Sequence, residues 1–114
     1  MMDSDTAITD KGYVWDIVTA CEDILQFIDA KTLETFTEDK MCRFAVERQL
    51  LVIGEASKKL SEHFKSQHED IPWRQIVGLR DILAHDYGDI LTERIWLVAV
   101  DEVPILYSKL KSLS

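Results

Sequence analysis

Gln49-Leu50-Leu51-Val52-Ile53-Gly54 sits inside a longer helical pattern, from about Glu38 to Phe64, and is apolar nearly all the way round. A helix of that kind is buried on more than one side. In a chain of 114 residues, the extra face calls for a second chain to cover it. Gly54 costs about 1 kcal/mol against alanine in a helix interior, which marks it as a place of close helix approach. Met41, Phe44, Ala45, Ala56, Leu60 and Phe64 complete the stripe, and Thr37 or Asp39 serves as its cap.

On the N-terminal side, Tyr13, Val14, Ile17, Cys21, Ile24, Leu25 and Ile28 recur at the spacing of an amphipathic helix. They predict a helix from Lys11 to about Ala30 with Asp10 as N-cap. Before it, residues 1–10 form a polar tail whose Asp3, Asp5 and Asp10 are solvated. Lys31 to Asp39 is polar and suits a connection. On the C-terminal side, Ser61 to Ile71 is polar enough for a loop. Pro72 opens a third helix, where its missing N–H is harmless. That helix carries Trp73, Ile76, Val77, Leu79, Ile82 and Leu83, and ends near His85. Asp86-Tyr87-Gly88-Asp89 is a turn, with Gly88 able to take a positive φ. A last helix starts near Asp89 or Thr92 and runs to about Leu110, with Ile95, Trp96, Ala99, Val103, Leu106 and Leu110 inside. Pro104 should kink it. No strand pattern or repeat interrupts this series. The expectation is an all-α chain, one domain over residues 1–114 built as an antiparallel four-helix bundle.

Composition supports that architecture. Hydrophobic residues make up 46% and charged residues 30%, and only four Gly and two Pro break the chain. A domain of this size buries roughly 65% of its unfolded surface, so it can stand without metal or disulfides. Cys21 and Cys42 both fall in helical patterns and make neither a disulfide framework nor a zinc spacing. Buried thiols in a reducing cytoplasm are the expectation. The first eleven residues are polar and acidic, unlike a secretory leader. No apolar run approaches the ~20 residues of a membrane span, so the protein is expected to be soluble, cytoplasmic and free of membrane partners. Thirteen Lys and Arg face 21 Asp and Glu, a net charge of -8. That balance excludes an easy general affinity for nucleic acid. An RNA substrate would need a local Arg/Lys groove or a basic partner.

The chemistry concentrates in Arg80-Asp81-Ile82-Leu83-Ala84-His85-Asp86-Tyr87. Arginine stays protonated and offers five donors to a phosphate. Histidine moves protons near neutral pH. At about 100° per residue, Arg80 and His85 lie about 140° apart around a straight helix. They converge only if the helix ends or bends just before His85, or if two chains bring these ends together. Asp81 and His85 are four apart and share a face, so the Asp81 carboxylate can orient the imidazole. Taken without context, the same residues also fit a solvated Arg, a His complementing the helix dipole and a Tyr packed on the bundle.

The spacing Arg80, four residues, His85, one residue, Tyr87 resembles the Arg-x4-His-x-Tyr motif of the HEPN superfamily. Within it, the chain looks like the HepT-like toxins paired with minimal nucleotidyltransferase antitoxins. Glu47-Arg48-Gln49-Leu50-Leu51-Val52-Ile53-Gly54-Glu55-Ala56 is similar to that group's second helix. Ile71-Pro72-Trp73-Arg74-Gln75-Ile76-Val77-Gly78-Leu79-Arg80 is similar to its lead into the motif. The likeness runs from about residue 11 to 110. It implies a HEPN-like bundle whose third helix ends at the motif. It also implies a metal-independent endoribonuclease that needs no cofactor, acts as a homodimer and belongs to a type VII-like toxin–antitoxin system. Arg80 and His85 would be the catalytic pair, Asp81 the supporting polar residue, and Tyr87 the acceptor for adenylylation by the antitoxin. Arg48 is a candidate for the RNA groove.

Two other functions fit the same residues. One is a non-catalytic HEPN module that binds a nucleotidyltransferase partner and RNA or nucleotide phosphate. The other is a structural helical dimerisation domain. His63 and His68, five apart in a polar segment, suit a solvated loop better than a metal site, as no Cys lies near. Arg43–Glu47 and Glu55–Lys59 are simplest as surface helix pairs. Trp15, Trp73 and Trp96 are simplest as core or interface anchors.

Overall fold

The backbone is described for residues 4–114 of a computed structural model, with side chains from Ile8 onward. Among these residues every regular element is helical. Two long helices form the centre, α1 (Ser4–Phe27) and α3 (Lys40–Lys59). They run antiparallel, because three contacts pair opposite ends. Asp10 meets Ser61, Gln49 donates to Asp23 at 3.3 Å, and the Cys42 thiol meets the Phe27 carbonyl at 3.4 Å. Their seam is Val14, Ile17, Cys21 and Ile24 against Val46, Leu50 and Ile53, all buried. Burial, then the charge of Glu22, pushes the Cys21 thiol up to about 12, so Cys21 packs as an apolar side chain.

Several expected boundaries move. The first helix begins at Ser4, not Lys11, so Asp10 lies inside it. Asp10 is 4% exposed. It is neither an N-cap nor a solvated residue, and it accepts from the Ser61 N–H at 2.8 Å and hydroxyl at 2.6 Å. Asp3 and the Asp5 side chain lie outside the described residues. The Lys31–Asp39 connection contains a short helix, α2 (Leu33–Glu38), opened by a capping box between Thr32 and Thr35. Asp39 then caps α3 by accepting from Cys42 N–H. The second helix ends at Lys59 rather than Phe64. The polar stretch after it is another short helix, α4 (Glu62–Gln67), capped by Ser61.

The third helix is broken in two at Gly78, giving α5 (Trp73–Val77) and α6 (Leu79–His85). Both pack on the C-terminal half of α3. A Cβ on Gly54 would stand 3.3 Å from the Ile76 carbonyl oxygen. That contact is tight, so the bare glycine permits the close approach. The fourth helix is α7 (Gly88–Leu97), a π segment (Val98–Glu102) and α8 (Val103–Leu110). The break falls where Pro104 has no N–H to donate. The ladder widens by one residue just before it, and Val103 N–H reaches the Val98 carbonyl. α1, α3, α5–α6 and α7–α8 are thus the four helices of the bundle, with α2 and α4 in its links. α2 buries Phe36 against Trp96, with ring centres 5.3 Å apart. Trp73 is buried and donates to the His68 carbonyl at 3.0 Å, whereas Trp15 stays 58% exposed. No helix among the described residues is long and apolar enough to cross a membrane.

Candidate functional site

α6 carries Arg80, Asp81 and His85 on its exposed surface, and Tyr87 follows in a two-residue extended link to α7. Gly88 enters α7 at φ +56°, the conformation for which glycine is suited. The link is held at one end by Asp86, whose N–H closes on the Ile82 carbonyl and whose carboxylate stands 3.3 Å from Arg94. Tyr87 is 79% exposed.

His85 is oriented differently from expectation. Its Nδ1 lies 2.8 Å from the backbone carbonyl of Asp81, not from the Asp81 carboxylate. A carbonyl oxygen can only accept, so Nδ1 carries the hydrogen. Nε2 of the neutral ring is then an acceptor with no partner among the described residues. An imidazole held this way is set to take a proton from a group arriving from solvent.

Arg80 reaches across to α3, where its guanidinium stands 3.2 Å from the Glu55 carboxylate. Glu55 therefore pairs with Arg80 rather than with Lys59, which instead lies over the Tyr13 ring. Arg43, expected to pair with Glu47, turns its guanidinium back to the Thr37 carbonyl. Burial raises the Glu47 carboxyl above its ordinary value, against a smaller opposing effect of Arg43.

Arg80 and His85 do not meet within one chain. α6 is regular through His85, and the bend at Gly78 precedes both residues. No hydrogen bond or ion pair joins them among the described residues. Arg80 opens on a cleft of 440 Å³ between α3 and the α5–α6 corner, shared with Gly54, Glu55, Lys58, Arg74 and Asp81. Arg48 is elsewhere, in a neighbouring cleft between α1 and α3 with Tyr13, Asp16 and Lys59. His63 is exposed on α4, and His68 caps that helix and stacks on Phe64 at 4.4 Å.

A larger apolar groove of 600 Å³ separates α5–α6 from the π segment and α8. Leu50, Ile53, Ile82, Val98 and Ile105 line it, with Arg94, Glu102 and Lys109 among its polar residues. Leu50 and Ile53 belong to the stretch of α3 that is apolar all round. Its other side, Leu51 and Val52, is only half-buried, beside Arg48.

Comparison with known proteins bears on this arrangement. The family described as ribonuclease HepT-like matches residues 17–113. The chain belongs to the HepT-like ribonuclease family. Its relatives include a protein of Thermococcus cleftensis named "Probable ribonuclease HepT", 39% identical over 90% of this chain and 94% of that one. A Methanocaldococcus jannaschii protein, named as a candidate RNase, is 35% identical over 82% of this chain and 86% of its own. One from Caldanaerobacter subterraneus, named in the same way, is 32% identical over 92% and 94%. No solved structure gives a significant match. Membership in the HepT-like family supports a ribonuclease role and RNA as the substrate class. The matched region includes Arg80, His85 and Tyr87 as well as every residue that lines the cleft beside Arg80.

Lys58, Arg74 and Glu55 are the site residues that sequence patterns did not single out for a role with Arg80. Lys58 and Arg74 are 16 positions apart in the numbering, and only the docking of α5 on Gly54 brings them to one cleft.

Proposed function

We propose that this chain is a metal-independent endoribonuclease, the toxin of a type VII-like toxin–antitoxin pair, acting as a homodimer. The observation that carries this reading is the state of His85, with Nδ1 anchored to a carbonyl and Nε2 open, five residues from an exposed arginine. The RNA 2′-hydroxyl is the nucleophile. His85 Nε2 takes its proton while the 2′-oxygen attacks the adjacent phosphorus. Arg80 stabilises the charge on the pentacoordinate transition state. The protonated His85 gives that proton to the 5′-oxygen as it leaves, so the products end in a 2′,3′-cyclic phosphate and a 5′-hydroxyl and His85 is restored. DNA lacks the hydroxyl and should survive.

Because Arg80 and His85 face apart on one α6, the working site is assembled from two copies. The apolar groove beside α6 is the surface a second copy would cover. Adenylylation of Tyr87 by a nucleotidyltransferase antitoxin would place a bulky anion two residues from His85. It would repel RNA phosphates and draw on the Arg80 charge. Asp81 acts through its backbone carbonyl, as the anchor of His85.

The test is product chemistry on a labelled RNA and on the same strand carrying a single 2′-deoxy residue at the cut. Cyclic-phosphate ends, with cutting blocked at the deoxy position, are expected. Ends bearing 3′-hydroxyl and 5′-phosphate would contradict the mechanism. A second reading, a non-catalytic module that binds RNA or nucleotide phosphate and a nucleotidyltransferase, is favoured by one observation. Within a single chain Arg80 is engaged by Glu55 and stays apart from His85. Under that reading RNA is bound and left whole.

A further inference from the structure

We propose that the cleft between the C-terminal half of α3 and the α5–α6 corner is an RNA-backbone groove, in which Lys58 and Arg74 hold the phosphates flanking the one that Arg80 meets. The proposal rests on the ribonuclease reading and adds the residues that grip the strand. Three cations, Lys58, Arg74 and Arg80, line this one cleft of 440 Å³, against two carboxylates, Glu55 and Asp81. In a chain of net charge -8, a cleft with a surplus of positive charge is a departure from the average surface.

Among the described residues, four of the 13 Lys and Arg side chains hold a carboxylate, Lys31, Arg80, Arg94 and Lys109, and Arg80 alone of these lines the cleft. Neither Lys58 nor Arg74 has an ion-pair partner among the described residues, and both are exposed. Their charges are therefore available to a mobile anion. Gly54 and Gly78 both line the cleft, and the tight approach of α5 to the bare Gly54 is what brings Arg74 to the same cleft as Lys58. The Glu55 carboxylate on Arg80 occupies the position that a phosphate would take, and an incoming strand would displace it. Single-stranded RNA suits such a cleft, because exposed point charges contact the backbone without reading bases.

The experiment measures binding of a labelled single-stranded RNA by fluorescence anisotropy across a salt series, in the full chain carrying His85→Ala so that the probe stays intact. Each phosphate contact with a single strand contributes about 0.7 to the slope of log K against log salt. The double variant Lys58→Gln/Arg74→Gln is expected to flatten that slope by about 1.4. Lys58→Arg/Arg74→Lys should restore it, and Lys65→Gln, on α4 outside the cleft, should leave it unchanged. An unchanged slope in the neutralised double variant, while the wild-type chain still cleaves RNA, overturns the groove alone. RNA that is neither bound by the His85→Ala chain nor cut by wild type overturns the groove and the nuclease reading together.

Discussion

His85 is oriented by a single hydrogen bond, Nδ1–H to the Asp81 carbonyl at 2.8 Å. Because both catalytic candidates are exposed, replacing either should leave the fold intact. His85→Ala is expected to lower the RNA cleavage rate by about 10²–10⁴-fold, and Arg80→Ala by about 10²–10³-fold. Asp81→Asn should retain most activity, since the contact runs through the backbone. A loss as large as that of His85→Ala would reassign the role to the Asp81 carboxylate. Single-turnover cleavage with circular dichroism on each variant separates these outcomes. Ala30, in the turn that follows α1, sits at φ +62°. A left-handed conformation is costly for any residue with a Cβ. Ala30→Gly should stabilise the chain by about 0.5–1 kcal/mol in urea titration, the relieved strain of about 1–2 kcal/mol outweighing the entropy that glycine adds to the unfolded chain. That Arg80 and His85 stay apart on a regular α6 was legible in the sequence. The Asp81 carbonyl contact was not, because any residue at position 81 offers the same acceptor.

At the scale of elements, the helices with apolar stripes were legible and the short polar ones were not. α4 has almost no apolar periodicity, and a carboxylate 51 positions away on α1 supports its cap through Ser61. No local pattern in Ser61–Ile71 carries that information. Asp10→Ala leaves the Ser61 N–H and hydroxyl without their acceptor. It should cost about 1–3 kcal/mol, read as a lower urea midpoint at constant m-value. Gly54 is the converse case, since its role was anticipated from its place inside a helix. Gly54→Val would drive side-chain atoms into the Ile76 carbonyl. It should cost about 1–3 kcal/mol or more and displace α5 from α3. Such a shift would separate Arg74 from Lys58, so RNA affinity should fall with stability in this variant. The break at Gly78 was not anticipated, because the apolar spacing continues through it.

On the scale of the whole molecule, the acidity is compatible with RNA binding under the groove proposal because of where the positive charge lies. The net charge of -8 keeps most of the surface from holding RNA, while the cleft beside Arg80 gathers three cations. Within one chain Leu50 and Ile53 of α3 are already buried and Leu51 and Val52 half-buried, so the second chain expected for α3 belongs to the homodimer proposal. Under the homodimer proposal, the purified protein should sediment at twice 13.2 kDa. Ile105→Glu, which places a charge in the groove from an exposed position, should shift it to monomer and reduce cleavage at least tenfold with helix content unchanged. A wild-type monomer that cleaves RNA would contradict assembly from two copies. Mixing Arg80→Ala with His85→Ala chains should restore part of the activity if each site draws Arg80 from one copy and His85 from the other.

The most direct measurement is cleavage of an end-labelled RNA in EDTA by the purified chain, with Tyr87 confirmed unmodified by mass spectrometry, beside folded His85→Ala. Cutting by wild type and none by the variant is the expected result. Intact RNA with the wild-type chain, or equal cutting by both, would contradict it.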